Sequence, residues 1–567
     1  MARSALTKIL RQAYTVVQIS KRSGIPPAEV LGILNERRIS RRRLLQGGLA
    51  LAGAAATTTF RRDGHRAVAQ SGISPVLVVG AGLAGLTAAY RLKQAGVPVD
   101  VIEARYQVGG RVRSLPNAAG TQLTAELGGE FIDTDHTTLL RLAKELGLKI
   151  VDLLAADKGL IKDTYFFDGR KVPLEEIIND FVPVAEQIDA DLVAIENFES
   201  YAVFDEATAK LDKVSIAEYL DRIDTTPTIR ELLKVAYTIE YGREAEEQSC
   251  LNLIYLIGTE PGEFEIFGSS DERFYIDGGN NQVPRRLAQL LGDSVETGTV
   301  LESIRSLSDG RYRVTLRSGN TSRFRTYERI LLTLPFSVLR SISLQVNLPP
   351  TKRLAIKQLG YGTNSKLITS YTEKLWRTRY KSTANVYTDL GFQNTWETSQ
   401  SRYTPGAGLI TNYTGGRQGI TLGTATPEVQ AQRLIPQLEK IFPGISAKRL
   451  PGKAVRAYWT GELYSRGSYA CYLPGQWTQF YGVEGERVGN LFFAGEHCSL
   501  EYQGYMEGAC ETGETAALEI LEDLGLSQGA ASPPSAVPQR TPTSNNPRAI
   551  IRRRGKFRPF ARQRRPR

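Results

Sequence analysis

The chain of 567 residues is poor in the side chains on which hydrolases and metalloenzymes depend, with 3 histidines, 4 cysteines, 2 methionines and 4 tryptophans. His65 lies near the N-terminus, His136 begins a helical pattern, and His497 follows a buried acid late in the chain. Histidines so placed leave a general base of this type poorly supported and triad hydrolysis close to excluded. Cys250, Cys471, Cys498 and Cys510 show no CxxC spacing, which argues against both a zinc site and a disulfide framework. Free, buried cysteines are expected, although export would permit one disulfide. The apolar run over residues 44–56 is too short and too rich in small residues to span a membrane, and no other segment is long enough. The folded body also lacks an excess of positive charge. The net charge of +11 comes from the ends: residues 1–66 hold 13 Lys/Arg against 3 Asp/Glu, and residues 548–567 hold 10 Lys/Arg and no acid. Setting these aside reduces 71 basic and 60 acidic residues to 48 and 57, so charge makes no case for nucleic-acid binding. At 41% hydrophobic and 23% charged, the composition is that of a large soluble enzyme with tails.

What is present is concentrated between Val76 and Arg113. The apolar run Val76-Leu77-Val78-Val79 enters Gly80-Ala81-Gly82-Leu83-Ala84-Gly85 and then a helical pattern. In such a turn the first glycine permits the tight strand-to-helix reversal, the second admits a pyrophosphate to the backbone N–H groups, and the third lets helix and strand pack closely. The pyrophosphate then sits on a helix N-terminus. A second apolar run from Val97 to Ile102 ends in Glu103, where a carboxylate can accept hydrogen bonds from both ribose hydroxyls, favouring a cofactor without a 2′-phosphate.

After Glu103 comes Ala104-Arg105-Tyr106-Gln107-Val108-Gly109-Gly110-Arg111, a second glycine pair backed by an arginine. Far along the chain, Leu491-Phe492-Phe493-Ala494-Gly495-Glu496 reads as a buried strand ending in an acid, and Gly504-Tyr505-Met506-Glu507-Gly508-Ala509 opens a helix continuing to about Asp523. Together with Leu127-Gly128-Gly129-Glu130, these segments resemble the flavin-containing amine oxidase family, which includes monoamine, polyamine and L-amino-acid oxidases; the resemblance covers residues 74 to 525. It implies an α/β fold in which an FAD-binding Rossmann-like domain of the glutathione-reductase type is interleaved with an α+β substrate domain. It also implies that Gly80, Gly82, Ala84, Gly85, Glu103, Ala104, Gly110 and Arg111 hold the FAD, with Arg111 on the phosphate side, where a guanidinium fork suits the anion. Gly128, Gly129 and Glu130 match a flavin-side turn, and the Val300 backbone matches the adenine contact. Glu496, Gly504, Tyr505 and Met506 match the closing motif beside the isoalloxazine.

The same resemblance assigns roles in catalysis. Lys366, in Gly362-Thr363-Asn364-Ser365-Lys366-Leu367-Ile368, matches a lysine that hydrogen-bonds a water at flavin N5. Tyr469 and Tyr505 match two tyrosines that flank the substrate nitrogen. In Tyr464-Ser465-Arg466-Gly467-Ser468-Tyr469-Ala470-Cys471, Ser468 stands where monoamine oxidases carry the cysteine linked to the flavin, so the FAD is expected to be non-covalent. L-Amino-acid oxidases clamp the substrate carboxylate with an arginine where this chain has Phe131, which favours an amine as substrate. Arg466 or Arg243 could supply a guanidinium from elsewhere, so a basic L-amino acid stays open as the alternative, with Glu130 or Glu501 as acids for a cationic tail. A desaturase-like flavoprotein or a redox-silent FAD-binding protein is a further alternative, against which Lys366, Tyr469 and Tyr505 argue.

The expected organisation is an extension and signal over 1–69, cofactor-binding parts over 74–135, 274–345 and 461–526, a helical substrate part over 136–273, a sheet substrate part over 346–460, and a disordered basic tail over 527–567. Ser40-Arg41-Arg42-Arg43-Leu44-Leu45 with Ala67-Val68-Ala69 resembles a bacterial twin-arginine signal, a route for folded, cofactor-loaded proteins. The expectation is a periplasmic or secreted enzyme, membrane-associated if the signal is uncleaved. Its expected partners are a small amine or amino acid, oxygen or a quinone as acceptor, and the export machinery, with a homodimer left open.

Overall fold

The computed structural model of the protein describes residues 72–399 and 406–526. The signal-like segment, His65 and the basic tail therefore lie outside the described residues. Five parallel strands form the central sheet, in the order Leu491–Phe493, Arg329–Leu332, Val76–Val79, Val99–Glu103 and Val295–Thr297. Residues drawn from both ends and the middle of the chain thus meet in one sheet. Its central strand is buried throughout, and alternate residues serve opposite sides: Val76 and Val78 join one core, Leu77 and Val79 the other. That is the pattern of a parallel strand covered on both faces.

On one face, the helices Leu83–Gln94 and Met506–Asp523 lie against each other, although more than four hundred residues separate them. Small residues make this close approach possible. A methyl group added at Gly513 would stand 2.4 Å from the carbonyl oxygen of Ala84. Beside the parallel sheet, Thr321–Tyr327, Tyr312–Ser318, Thr299–Ser306 and Ser343–Gln345 form a four-stranded sheet that carries Val300.

A third sheet of seven strands runs Val455–Tyr458, Ser365–Tyr371, Gly408–Thr414, Asn394–Glu397, Ser382–Thr388, Ile161–Phe167 and Arg170–Val172. Its Ser365–Tyr371 strand is buried along its whole length and carries Lys366. The stretch expected to be helical over 136–273 does contain the helices Thr137–Glu145, Leu174–Ala194, Glu206–Asp212, Ile216–Asp221 and Pro227–Tyr241. It also supplies the strands Ile150–Asp152, Ile161–Phe167 and Arg170–Val172, which corrects the purely helical expectation. The physical reason is distance along the chain: Ile161–Phe167 is ordered by parallel pairing with Ser382–Thr388, a partner that no local periodicity reveals.

All four cysteines are free and buried, as expected. Among the described residues, no helix is long and apolar enough to cross a membrane. Replacing Gly513 with alanine is expected to force the two long helices apart and destabilise the fold by about 1–3 kcal/mol. A thermal melt unchanged from the parent would show that this contact yields at no cost.

Candidate active site

The carboxyl ends of the parallel strands open onto a cavity of about 660 Å³. Gly80, Thr333 and the Gly495-Glu496 pair follow three of those strands, Glu103 ends a fourth, and all line it, as open parallel sheets place their ligands. Gly82 caps the helix Leu83–Gln94 without contributing a side chain, and a methyl group there would meet no atom within 4 Å. The turn is thus an open cradle facing the positive end of a helix, suited to a pyrophosphate. Gly85 does not line the cavity. A methyl group there would lie 2.0 Å from the Gly80 carbonyl oxygen, so its role is to let the helix pack on the turn.

Both oxygens of Glu103 accept backbone hydrogen bonds at 2.9 Å, one from Ala81 and one from Arg105. Each oxygen keeps a further lone pair for a sugar hydroxyl. Ala104, Gly110 and Val300 complete this end of the cavity.

Glu496 is the junction between the two halves of the site. One carboxylate oxygen pairs with Arg111 Nη1 at 2.8 Å, while the other accepts from the Gly504 N–H at 2.9 Å and, more weakly, from the Ala470 N–H at 3.5 Å. Arg111 also donates to the Ser468 carbonyl oxygen at 2.6 Å. Its guanidinium is engaged by protein acceptors on this side, so the expected phosphate role falls to its remaining N–H groups. Ser468 donates to Asn364 Oδ1 at 2.6 Å and lines the cavity, whereas no cysteine does.

At the far end stand Phe131, Tyr413, Tyr469 and Tyr505. The Tyr469 hydroxyl donates to the Ile239 carbonyl oxygen at 3.1 Å and therefore accepts from Tyr413, 2.7 Å away. Burial holds both phenols above their ordinary range, hence neutral. Tyr505 packs its ring edge-on to His136 at 5.2 Å and places its hydroxyl 3.5 Å from Glu240 Oε1. Burial depresses His136 to about 3 and His497 well below its usual value, so neither imidazole titrates near neutrality.

Lys366 reaches the cavity wall, but its ammonium is fully engaged. It donates to the carbonyl oxygens of Gly128 at 2.8 Å and Glu126 at 3.2 Å, and pairs with Glu130 Oε2 at 2.7 Å. The second oxygen of Glu130 accepts from Thr398 Oγ1, and the ammonium lies 5.2 Å from the Trp396 ring centre. The three ammonium donors thus meet three protein acceptors, and Glu130, expected as an acid for a cationic tail, is paired with Lys366. Glu501 and Arg243 do not line the cavity; Arg243 Nε donates to the Tyr361 carbonyl oxygen at 2.8 Å. Arg466 does line it, on the loop beyond Tyr464.

The sequence profile of flavin containing amine oxidoreductases matches residues 83–521. The chain belongs to that family. The match carries FAD as the cofactor, and the open cradle at Gly82 fits it. Among curated relatives of this flavin amine oxidoreductase, amine oxidase [flavin-containing] A of Bos taurus is 26% identical over 463 residues, covering 79% of this chain and 85% of its own. Amine oxidase [flavin-containing] B of Homo sapiens is 26% identical over 462 residues, covering 79% and 86%. Among solved structures, cyclohexylamine oxidase from Brevibacterium oxydans superposes with a TM-score of 0.69 at 22% identity, over 80% of this chain and 100% of that one. Putrescine oxidase bound to putrescine gives 0.67 at 22%, over 79% and 99%.

Every residue expected to bind the cofactor lines the cavity except Gly85, and so do Lys366, Tyr469 and Tyr505. Sequence reading missed Tyr413, Glu240 and Glu272. For Glu240 a signal existed: it is a lone acid in the otherwise buried stretch from Val235 to Tyr241. Glu272 sits in a polar loop and offers none.

Breaking the buried Lys366–Glu130 pair from one side leaves an uncompensated charge. Glu130→Gln is expected to destabilise the protein by about 3–5 kcal/mol, and adding Lys366→Met to recover part of that loss. Strictly additive losses in chemical denaturation would show that the two groups are not coupled.

Proposed function

We propose that this chain performs the oxidative deamination of an amine, yielding an imine that water converts to an aldehyde and ammonia, with oxygen as the acceptor and hydrogen peroxide as its product. When bound, FAD supplies the acceptor for the hydride leaving the amine Cα. The observation that carries the reading is the pair of cavity-facing tyrosines, Tyr469 and Tyr505, at the end of the cavity opposite Glu103. The hydroxyl of Tyr469 is held by the Ile239 carbonyl and by Tyr413, so its ring is fixed before substrate arrives. Such rings orient an amine nitrogen and exclude water from the reacting carbon.

An amine, not an amino acid, is favoured because Phe131 faces the cavity where a carboxylate clamp would stand. Its ring packs on Trp396 with centres 5.5 Å apart. Non-covalent attachment of FAD is supported by Ser468, which lines the cavity, whereas Cys471, buried beside Asn252, does not.

Anaerobic addition of an amine should bleach the flavin absorbance of the holoenzyme, and Tyr469→Ala should slow that bleaching by about tenfold or more. Rapid bleaching by L-amino acids with amines inert would replace the amine reading with the amino-acid one. Acid precipitation should release the flavin to the supernatant, whereas flavin retained in the pellet would contradict non-covalent binding. We further propose export by the twin-arginine route, for which Arg41 and Arg42 followed by a small-residue run are the support. Replacing both with lysine should hold the enzyme in the cytoplasm, and undiminished export would reject the route.

A further inference from the structure

We propose that the substrate carries a second positive charge, held at the far end of the cavity by Glu272 and Glu240, so that the preferred amine is a dication. The inference rests on the amine-oxidising reading and names the substrate class within it.

Glu272 lines the cavity, with its side chain exposed there, and its carboxylate has no hydrogen-bond or ion-pair partner among the described residues. Glu240 also lines the cavity, and among the described residues its carboxylate accepts only from the Tyr505 hydroxyl, at 3.5 Å. Burial pushes Glu272 up to about 8, with the charges of Asp133 and Glu240 adding to the effect, and pushes Glu240 up to about 7. Two cavity-lining carboxylates, of which Glu240 raises the cost of ionising Glu272, are relieved by a cation placed beside them.

Among the described residues, no cation fills that role. Lys366 is already committed to Glu130, and Lys162, whose charge lowers the Glu272 value, is exposed near the start of the Ile161–Phe167 strand and does not line the cavity. The backbone is also arranged to present Glu272. Its φ of +47° lies in the left-handed region, which side-chain-bearing residues adopt at a cost. Asp133 holds it there, accepting the Glu272 N–H at 2.8 Å and the Ser270 hydroxyl at 2.8 Å. The electrostatic influence of both acids reaches Tyr413, and that of Glu240 reaches Tyr469, so they belong to the tyrosine end of the cavity. A substrate whose amine lies between Tyr469 and Tyr505 would place a distal ammonium or guanidinium towards these acids.

A diamine and a basic L-amino acid share this chemistry, and matched pairs separate them. Anaerobic stopped-flow reduction of the holoenzyme would compare 1,4-diaminobutane with butylamine, and L-lysine with L-norleucine. The expected result is that 1,4-diaminobutane reduces the flavin with a rate-to-affinity ratio at least about tenfold above butylamine, and that Glu272→Gln and Glu240→Gln each collapse this preference, the double variant bringing it close to one. Preference confined to the lysine pair would keep the second-charge inference and move the substrate to a basic amino acid. Butylamine as effective as the diamine in the parent enzyme would overturn the inference while leaving amine oxidation intact. Equal losses for mono- and dications in both variants would do so too. No bleaching by any of the four would remove the amine reading and the inference with it. The parent comparison requires no variant to fold.

Discussion

The carboxylate of Glu496 is the constraint on which the site depends. It sits at the end of a strand from the last part of the chain and bonds Arg111 from the first, the Gly504 N–H ahead of the closing helix, and more weakly the Ala470 N–H beside Tyr469. At 6% side-chain exposure, these partners supply the hydrogen bonds that its buried oxygens would otherwise lack. The chain is thereby held at the one place where its cofactor end and its tyrosine end meet. Gly504, next to Tyr505, is held by the same carboxylate that fixes Arg111, through its other oxygen.

From that junction the cavity divides by electrostatics. Towards the parallel sheet it offers the N-terminus of a helix, Arg111 and Arg105, groups that favour anions. Towards the seven-stranded sheet it offers neutral phenols and the acids Glu240 and Glu272, groups that favour cations. Between them, the buried ammonium of Lys366 is cancelled by Glu130 at 2.7 Å. The cofactor and the cationic substrate we propose would thus be drawn by fields of opposite sign to a stretch of wall that is neutral.

What could be read from the sequence was whatever is local. The Val76–Val79 strand, the glycine turn, Glu103 and the closing helix each announce themselves within a dozen residues, and the structure places them within one or two residues of the expected bounds. The family motifs likewise located Tyr469 and Tyr505, because their neighbours are sequence neighbours. Long-range partners were not legible. That Lys366 has three protein acceptors depends on Glu126, Gly128 and Glu130, some 240 residues earlier. That Ile161–Phe167 is a strand depends on residues more than two hundred positions later. Glu272 reads as a loop acid until Asp133 is seen holding its backbone inward.

The central claim is that Glu496 couples the two halves of one flavin site. The most direct test is hydrogen–deuterium exchange on apoprotein and FAD-loaded forms of the parent and of Glu496→Gln. The account predicts that the variant binds FAD at least about tenfold more weakly. It also predicts that amides over residues 80–85 and 504–510 exchange faster together in the variant, although they lie at opposite ends of the chain. Full FAD affinity with faster exchange confined to residues 496–510 would contradict it.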